Sequence, residues 1–211
     1  GGPAWTLTLE SEIGPRIAAS GPMLTSYAPD GRLGRQEIAR HVTSAAQARE
    51  LVRADAAAGA DLIKVHFLPR AGELEEARAW LVAAADEAHA QGLPISAHAT
   101  RLAHARAVID AGFDQLVHSI DDFPIDDALA RRMAARGVVY TTTLLVYEGY
   151  REVFLDGLDY SDFELALGDP AVIETLDDLA YLPERLLPGW LRQRRGRLRE
   201  PVAMPFWAVH N

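Results

Sequence analysis

From residue 44 to residue 143 the chain alternates between two textures. Stretches rich in Ala, Arg and Glu set apolar residues three and four apart. Each is followed by a short apolar run: "DLIKVHF", "LPISAHA", "FDQLVHSI" and "VVYTTTLLV". The first spacing predicts amphipathic helices, and the β-branched runs predict strands buried on both faces. A glycine stands at every junction, at Gly59, Gly92, Gly112 and Gly137. Glycine just past a helix is the expected left-handed cap. Ser44 and Gln47 have the spacing of a capping box, opening a helix that runs to about residue 58. Further helices are predicted over 73–91, 101–111 and 126–136, with strands near 62–67, 94–98, 115–119 and 138–143.

Upstream, residues 15–20 read as one more strand, running into a turn at Gly21-Pro22. Segment 4–13 carries both periods: Trp5, Leu9 and Ile13 have helical spacing, while residues 5–9 alternate like a strand. Helix is the preferred reading. Strands alternating with helices imply an α/β fold with a parallel sheet. A (β/α)8 TIM-type barrel is the first choice, and an open doubly wound sheet the second. Five strands leave such a barrel incomplete, and the unpaired edges predict self-association of the isolated chain. After Tyr147 the pattern changes. Residues 148–184 hold eleven acidic residues, and five arginines crowd residues 192–199. Such blocks are ordinarily solvated faces. The whole chain, 1–211, is expected to form a single catalytic barrel domain, with 148–200 a helical lid or an excursion after the last strand.

Composition narrows the function. A net charge of −9 disfavours nucleic acid and anionic membrane surfaces as partners. No apolar run reaches the roughly 18 to 20 residues of a spanning helix. There is no cysteine, so thiolate ligands and a cysteine nucleophile are excluded. The chain opens on Gly1-Gly2-Pro3 without a visible signal segment, which favours a cytoplasmic location.

Chemistry enters with Lys64. Of 21 basic residues, twenty are arginine and one is this lysine, set among Leu62, Ile63, Val65 and Phe67. Polar residues at strand C-termini line the active face of a parallel barrel. Here they are Lys64, His98, His118 and Thr141 to Thr143. Strand alternation sets Lys64 with His66, Ser96 with His98, and Leu116 with His118. Three successive strands can therefore aim Lys64, His98 and His118 into one cavity. Two imidazoles suit a zinc-type metal. An ammonium does not, but burial yields neutral amine, and an amine adds carbon dioxide to become an anionic carbamate able to bridge two cations. Arginine cannot replace lysine in that role. The competing reading is structural: strand histidines are often hydrogen-bonded core residues, and buried lysines often snorkel. His89 and His104, on helices, and His41, in a loop, are read as ordinary surface residues.

The stretch "GADLIKVHF … DEAHAQGLPISAHATRLAHARAVIDAGFDQLVHSID" resembles the metal-dependent amidohydrolase superfamily, in its imidazolonepropionase-like and prolidase-like branch. The correspondence runs through Gly59-Ala60-Asp61-Leu62-Ile63-Lys64, Ala97-His98 and Val117-His118-Ser119. It covers roughly residues 1–147. The resemblance implies the central part of a barrel, a carboxylated Lys64 bridging two divalent metals such as zinc, and His98 and His118 on the second metal. It also implies hydrolysis of an amide, peptide or cyclic amide, with a small-molecule or dipeptide-like substrate contacted by His66 and Tyr147. The family's first-strand His-x-His pair and its eighth-strand Asp, the general base, are not found in these 211 residues, and Val117 and Ser119 replace the usual Glu and Gly. Two rivals stand beside this reading. Lys64 could form a Schiff base, since "GADLIK" also resembles the lysine strand of deoxyribose-phosphate aldolases, or the chain could be a non-catalytic barrel relative used for binding or assembly.

Overall fold

Helices end where the glycines stand. Gly59, Gly92, Gly112 and Gly137 adopt φ values between 66° and 97°, and at Gly137 the backbone N–H closes back on Ala134 and Met133. A computed structural model describes residues 3–4, 7, 17–29, 37–146, 149, 152–153, 158–179, 181–187 and 192. The chain divides between Thr142 and Thr143 into two compact units.

The first unit is an α/β layer structure. Six parallel strands form one sheet: β1 (Met23–Thr25), β2 (Ala39–His41), β3 (Ile63–His66), β4 (Ile95–His98), β5 (Gln115–Val117) and β6 (Val139–Thr141). Their order is β2-β1-β3-β4-β5-β6. Among the described residues four helices accompany them: α1 (Ala45–Ala57), α2 (Leu74–Ala90), α3 (Leu102–Asp110) and α4 (Asp127–Arg136). Ser44 caps α1 by accepting the Gln47 N–H at 3.2 Å. The Gln47 side chain reaches Thr43 rather than Ser44, accepting its N–H at 2.8 Å, so the capping box is offset by one residue. Asp126 caps α4 through Leu129 N–H.

Three expectations are corrected. Residues 17–20 are not a strand, and pairing starts only at Met23. Two features delay it: the Ala19 N–H goes to the Asp61 carboxylate at 2.8 Å, and Gly21 turns the chain with φ of 60°. His41 ends a strand instead of lying in a loop, because Ala39–His41 pairs in register with Met23–Thr25. Ala39-Arg40-His41 lacks the apolar, β-branched run by which the other strands are read. The central strands are not equally buried on their two faces. Ile63, Val65, Ile95, Ala97 and Leu116 are fully buried, whereas Lys64, His66, His98 and Gln115 are only partly covered. Register partners share a face, so Leu24, Val65, Ala97 and Leu116 form one apolar row. That row and the inward stripe of α2 (Ala77, Trp80, Leu81, Ala84, Ala88) belong to one core.

The second unit, among its described residues, contains α5 (Asp162–Leu167) and α6 (Pro170–Leu179). A capping box of Ser161 and Glu164 opens α5, and neither helix buries a residue. Most of segment 4–13, together with Tyr147 and His210, lies outside the described residues. No helix of the described residues is long and apolar enough to cross a membrane.

One ion pair fastens the sheet edge. Arg40 on β2 donates to the Asp55 carboxylate on α1 and, at 2.9 Å, to the Pro22 carbonyl before β1. Asp55 is buried, and desolvation raises its pKa against the lowering effect of Arg40. The Arg40 Nε is buried without a partner, so the pair is imperfectly satisfied. Removing one member leaves the other charge stranded, which is where buried pairs are costly. Asp55→Ala is expected to destabilise the chain by about 2 to 4 kcal/mol in urea unfolding, and Arg40→Met/Asp55→Leu together by much less. A double-variant cost equal to the sum of the Arg40→Met and Asp55→Leu single costs would show that the two side chains act independently and not as a pair.

Candidate metal centre

Polar side chains gather on the sheet face opposite the helix-packed apolar row. The β3–β4 register pairs Lys64 with Ser96 and His66 with His98. Both histidines end their strands, and their ring centroids lie 4.0 Å apart at an interplanar angle of 36°. Lys64 sits two residues further back on the same face, flanked by the fully buried Ile63 and Val65.

His118 reaches this face by a different route. Leu116 is fully buried in register with Ala97, on the helix side. Plain alternation would send His118 there too, so the expected pairing of Leu116 with His118 is corrected. His118 instead follows the end of β5 with φ of 73°, a region that a non-glycine residue occupies only when its surroundings enforce it. The restraints are identifiable. His118 N–H donates to Thr141 O at 2.8 Å, Ser119 Oγ to Thr142 O at 2.6 Å, and Ile120 N–H to the Tyr140 hydroxyl at 3.0 Å. The turn directs the ring onto His98, with centroids 4.5 Å apart and planes at 63°. Thr141 and Thr142 thus serve through their backbone carbonyls.

Lys64, His66, His98 and His118 therefore form one electrostatic group. Burial lowers the Lys64 pKa to about 8, and no ion pair contributes. His66 is lowered to about 4, through burial first and then the charges of Lys64 and His118. His98 falls further, through burial and then through His66, His118 and Lys64. His118 is lowered by burial and by Lys64. All three imidazoles are neutral near pH 7, the form that offers a lone pair to a metal. At pKa 8 about a fifth of the lysine is neutral amine near pH 7.4, against roughly one part in a thousand for an exposed lysine.

Tyr27, which sequence reasoning did not single out, belongs to the same group. It follows β1 by two residues, and its hydroxyl lies 2.8 Å from His66 Nδ1. Thr25 Oγ1 donates to the Tyr27 carbonyl at 2.6 Å, fixing its backbone. Because β1 lies outside the strand expected at 15–20, no local signal in the sequence marks Tyr27. His41 ends β2 on the edge of the sheet. His89 is an exposed partner of Asp114, at 3.0 Å. His104 differs from its surface reading: its ring meets Phe67 edge-on at 5.6 Å, and its buried Nδ1 has no hydrogen-bond partner.

The donor set fits part of a divalent-metal site. Among the described residues no three His, Asp or Glu side chains are placed to hold a metal by themselves. His98 and His118 supply two neutral nitrogens, and an anionic ligand would have to come from derivatised Lys64.

No family model and no curated protein sequence matches the chain. Solved structures match its fold. One, described as an amidohydrolase, aligns with TM-score 0.53 and 22% identity over 87% of this chain and 47% of its own. Another, a prolidase complexed with N-methylphosphonate-L-proline, aligns with TM-score 0.54 and 20% identity over 88% and 45%. Ochratoxinase from A. niger aligns with TM-score 0.51 and 20% identity over 80% and 42%. The chain spans under half the length of these structures, and what it shares with them is the fold, a parallel α/β sheet.

Proposed function

We propose that this chain is the central part of a (β/α)8 barrel of a metal-dependent amidohydrolase, which in its whole form cleaves an amide, peptide or cyclic amide C–N bond. Residues 1–211 would belong to one catalytic domain, with 148–200 an excursion after the seventh barrel strand. The observation that carries this reading is that the single lysine, within β3, shares a sheet face with His98 at the end of β4, whose ring meets that of His118 just past β5. That is where parallel barrels place their chemistry. The likeness to amidohydrolase and prolidase structures supports the fold it requires.

Each residue has a definable task. The Lys64 amine, desolvated and part neutral, attacks the carbon of carbon dioxide; a C–N bond forms, one proton leaves, and the side chain becomes an anionic carbamate. The carbamate would bridge two divalent cations such as zinc, and His98 and His118 would hold one of them through neutral nitrogens. Such a pair, when bound, polarises a carbonyl and acidifies water. His66 is hydrogen-bonded to Tyr27 and is proposed as a substrate contact. Tyr147 is proposed as a second substrate contact on its sequence position alone. The Schiff-base alternative uses the same neutral amine but leaves three neutral imidazoles without a role.

Zinc content and affinity test the proposal directly. The full chain, loaded in bicarbonate buffer, is expected to retain zinc and to carry the mass of one carbon dioxide on the Lys64 peptide. Lys64→Arg should keep the charge and lower zinc affinity by at least about 100-fold, more than the roughly 10- to 100-fold lost with a supporting residue. Unchanged zinc affinity in Lys64→Arg would remove the lysine from the site. A second expectation concerns Tyr27→Phe, which deletes the partner of His66 Nδ1. Nitrogen-15 NMR of the imidazoles should then show the His66 tautomer ratio change while His89 stays as it was. An unaltered His66 spectrum would show that the hydroxyl does not set its tautomer.

A further inference from the structure

The residues just past β5 are tied one by one to β6 and its continuation. His118 N–H donates to Thr141 O at 2.8 Å, Ser119 Oγ to Thr142 O at 2.6 Å, and Ile120 N–H to the Tyr140 hydroxyl at 3.0 Å. Only the first is an ordinary ladder bond. Parallel strands exchange evenly spaced backbone bonds, so a continuing β5 would carry the Ile120 N–H to a carbonyl further along β6. A side chain takes that N–H instead. Tyr140 pairs in register with Leu116 and packs against the core, so its ring lies on the helix side of the sheet. Ile120 is fully buried in the same core, and Ser119 is buried beside it.

These side-chain bonds decide where His118 points. Its φ of 73° is disfavoured because Cβ crowds the backbone there, and extended backbone is the default. Extension would set His118 on the face of Leu116, in the helix-packed core and away from His98. The turn sends the ring the other way, to a centroid distance of 4.5 Å from His98. The His118 N–H bond does not enforce this, since an extended strand would make it equally well. The enforcing contacts are those of the next two residues. We propose that Ser119 and Tyr140 are positioning residues, whose hydroxyls clasp this turn to β6 and so hold the His118 ring against His98. The inference rests on the metal reading only for what the paired rings would bind.

Two readouts on the full chain test the clasp. The first needs no metal: the nuclear Overhauser effect between carbon-bound ring protons of His98 and His118. The second is zinc affinity in bicarbonate buffer. Ser119→Ala and Tyr140→Phe each delete one hydroxyl, and Val52→Ala, which empties core space on α1, controls for lost stability alone. Circular dichroism checks that each variant keeps its fold. Both hydroxyl deletions should weaken the ring–ring signal, and the double variant should lose it and bind zinc about 10- to 100-fold more weakly, the usual loss with a supporting residue. Val52→Ala should keep both signal and affinity. A ring–ring signal at full strength in the folded double variant, or in both singles where the double does not fold, would overturn the clasp. So would an equal loss in Val52→Ala, which would make the effect one of general stability. A chain that binds no zinc, yet loses the ring–ring signal with the hydroxyls, would sink the metal reading and leave the clasp standing.

Discussion

The register of β3 against β4 is the constraint on which the rest depends. It sets Ile63 beside Ile95 and Val65 beside Ala97 on one face, and Lys64 beside Ser96 and His66 beside His98 on the other. Strand side chains have a period of two, so a slip of one residue would exchange the faces. If β4 were the strand to shift, His98 would enter the helix-packed core and Ala97 would face the polar group. The apolar row holds the register because burying each large aliphatic side chain contributes about 1.5 to 3 kcal/mol. The polar row contributes nothing comparable. Packing on one face therefore positions the chemistry on the other.

The arrangement has an electrostatic consequence. A lysine and three histidines share a partly desolvated face in which no carboxylate figures among the causes of their pKa shifts. Four cations cannot coexist there, and the protein responds by holding the imidazoles neutral and the amine part neutral. The contrast with Asp55 is instructive. That residue is also desolvated, yet Arg40 stands against it, and the pair ties strand to helix. Among the described residues Lys64 has no such counterpart, so no ion pair there accounts for its burial.

Much of this was legible in the sequence, and the exceptions have physical causes. Gly59, Gly92, Gly112 and Gly137 mark helix ends because only their backbone conformation is cheap there, and the four strands that follow them lie where the apolar runs are. Lys64, His66 and His98 follow from alternation within regular strands. β1 and β2 did not follow, since Ala39-Arg40-His41 has no apolar run and the Ala19–Asp61 contact that displaces β1 is not local. His118 was reached from a wrong premise. Alternation continued past β5 would bury it, and what turns it back is a left-handed backbone secured by β6, a tertiary effect invisible in the stretch "LVHS". Tyr27 was missed for the same kind of reason: its hydroxyl matters only because β1 lies next to β3.

The choice between metal and Schiff-base chemistry turns on what the histidines do with a neutral lysine. Either reaction needs a desolvated amine, so the position of Lys64 between Ile63 and Val65 does not discriminate. A Schiff base, once formed, becomes an iminium and requires nearby groups that accept or relay a proton. His66 and His98 are poor at this, because their pKa values lie well below neutrality and each crowds the other's ring. A carbamate reverses the charge of the lysine and makes a cation welcome among the same rings. The imidazoles that hinder one reaction are suited to the other, and His118, held at φ 73° by its bond to β6, brings a third ring against His98.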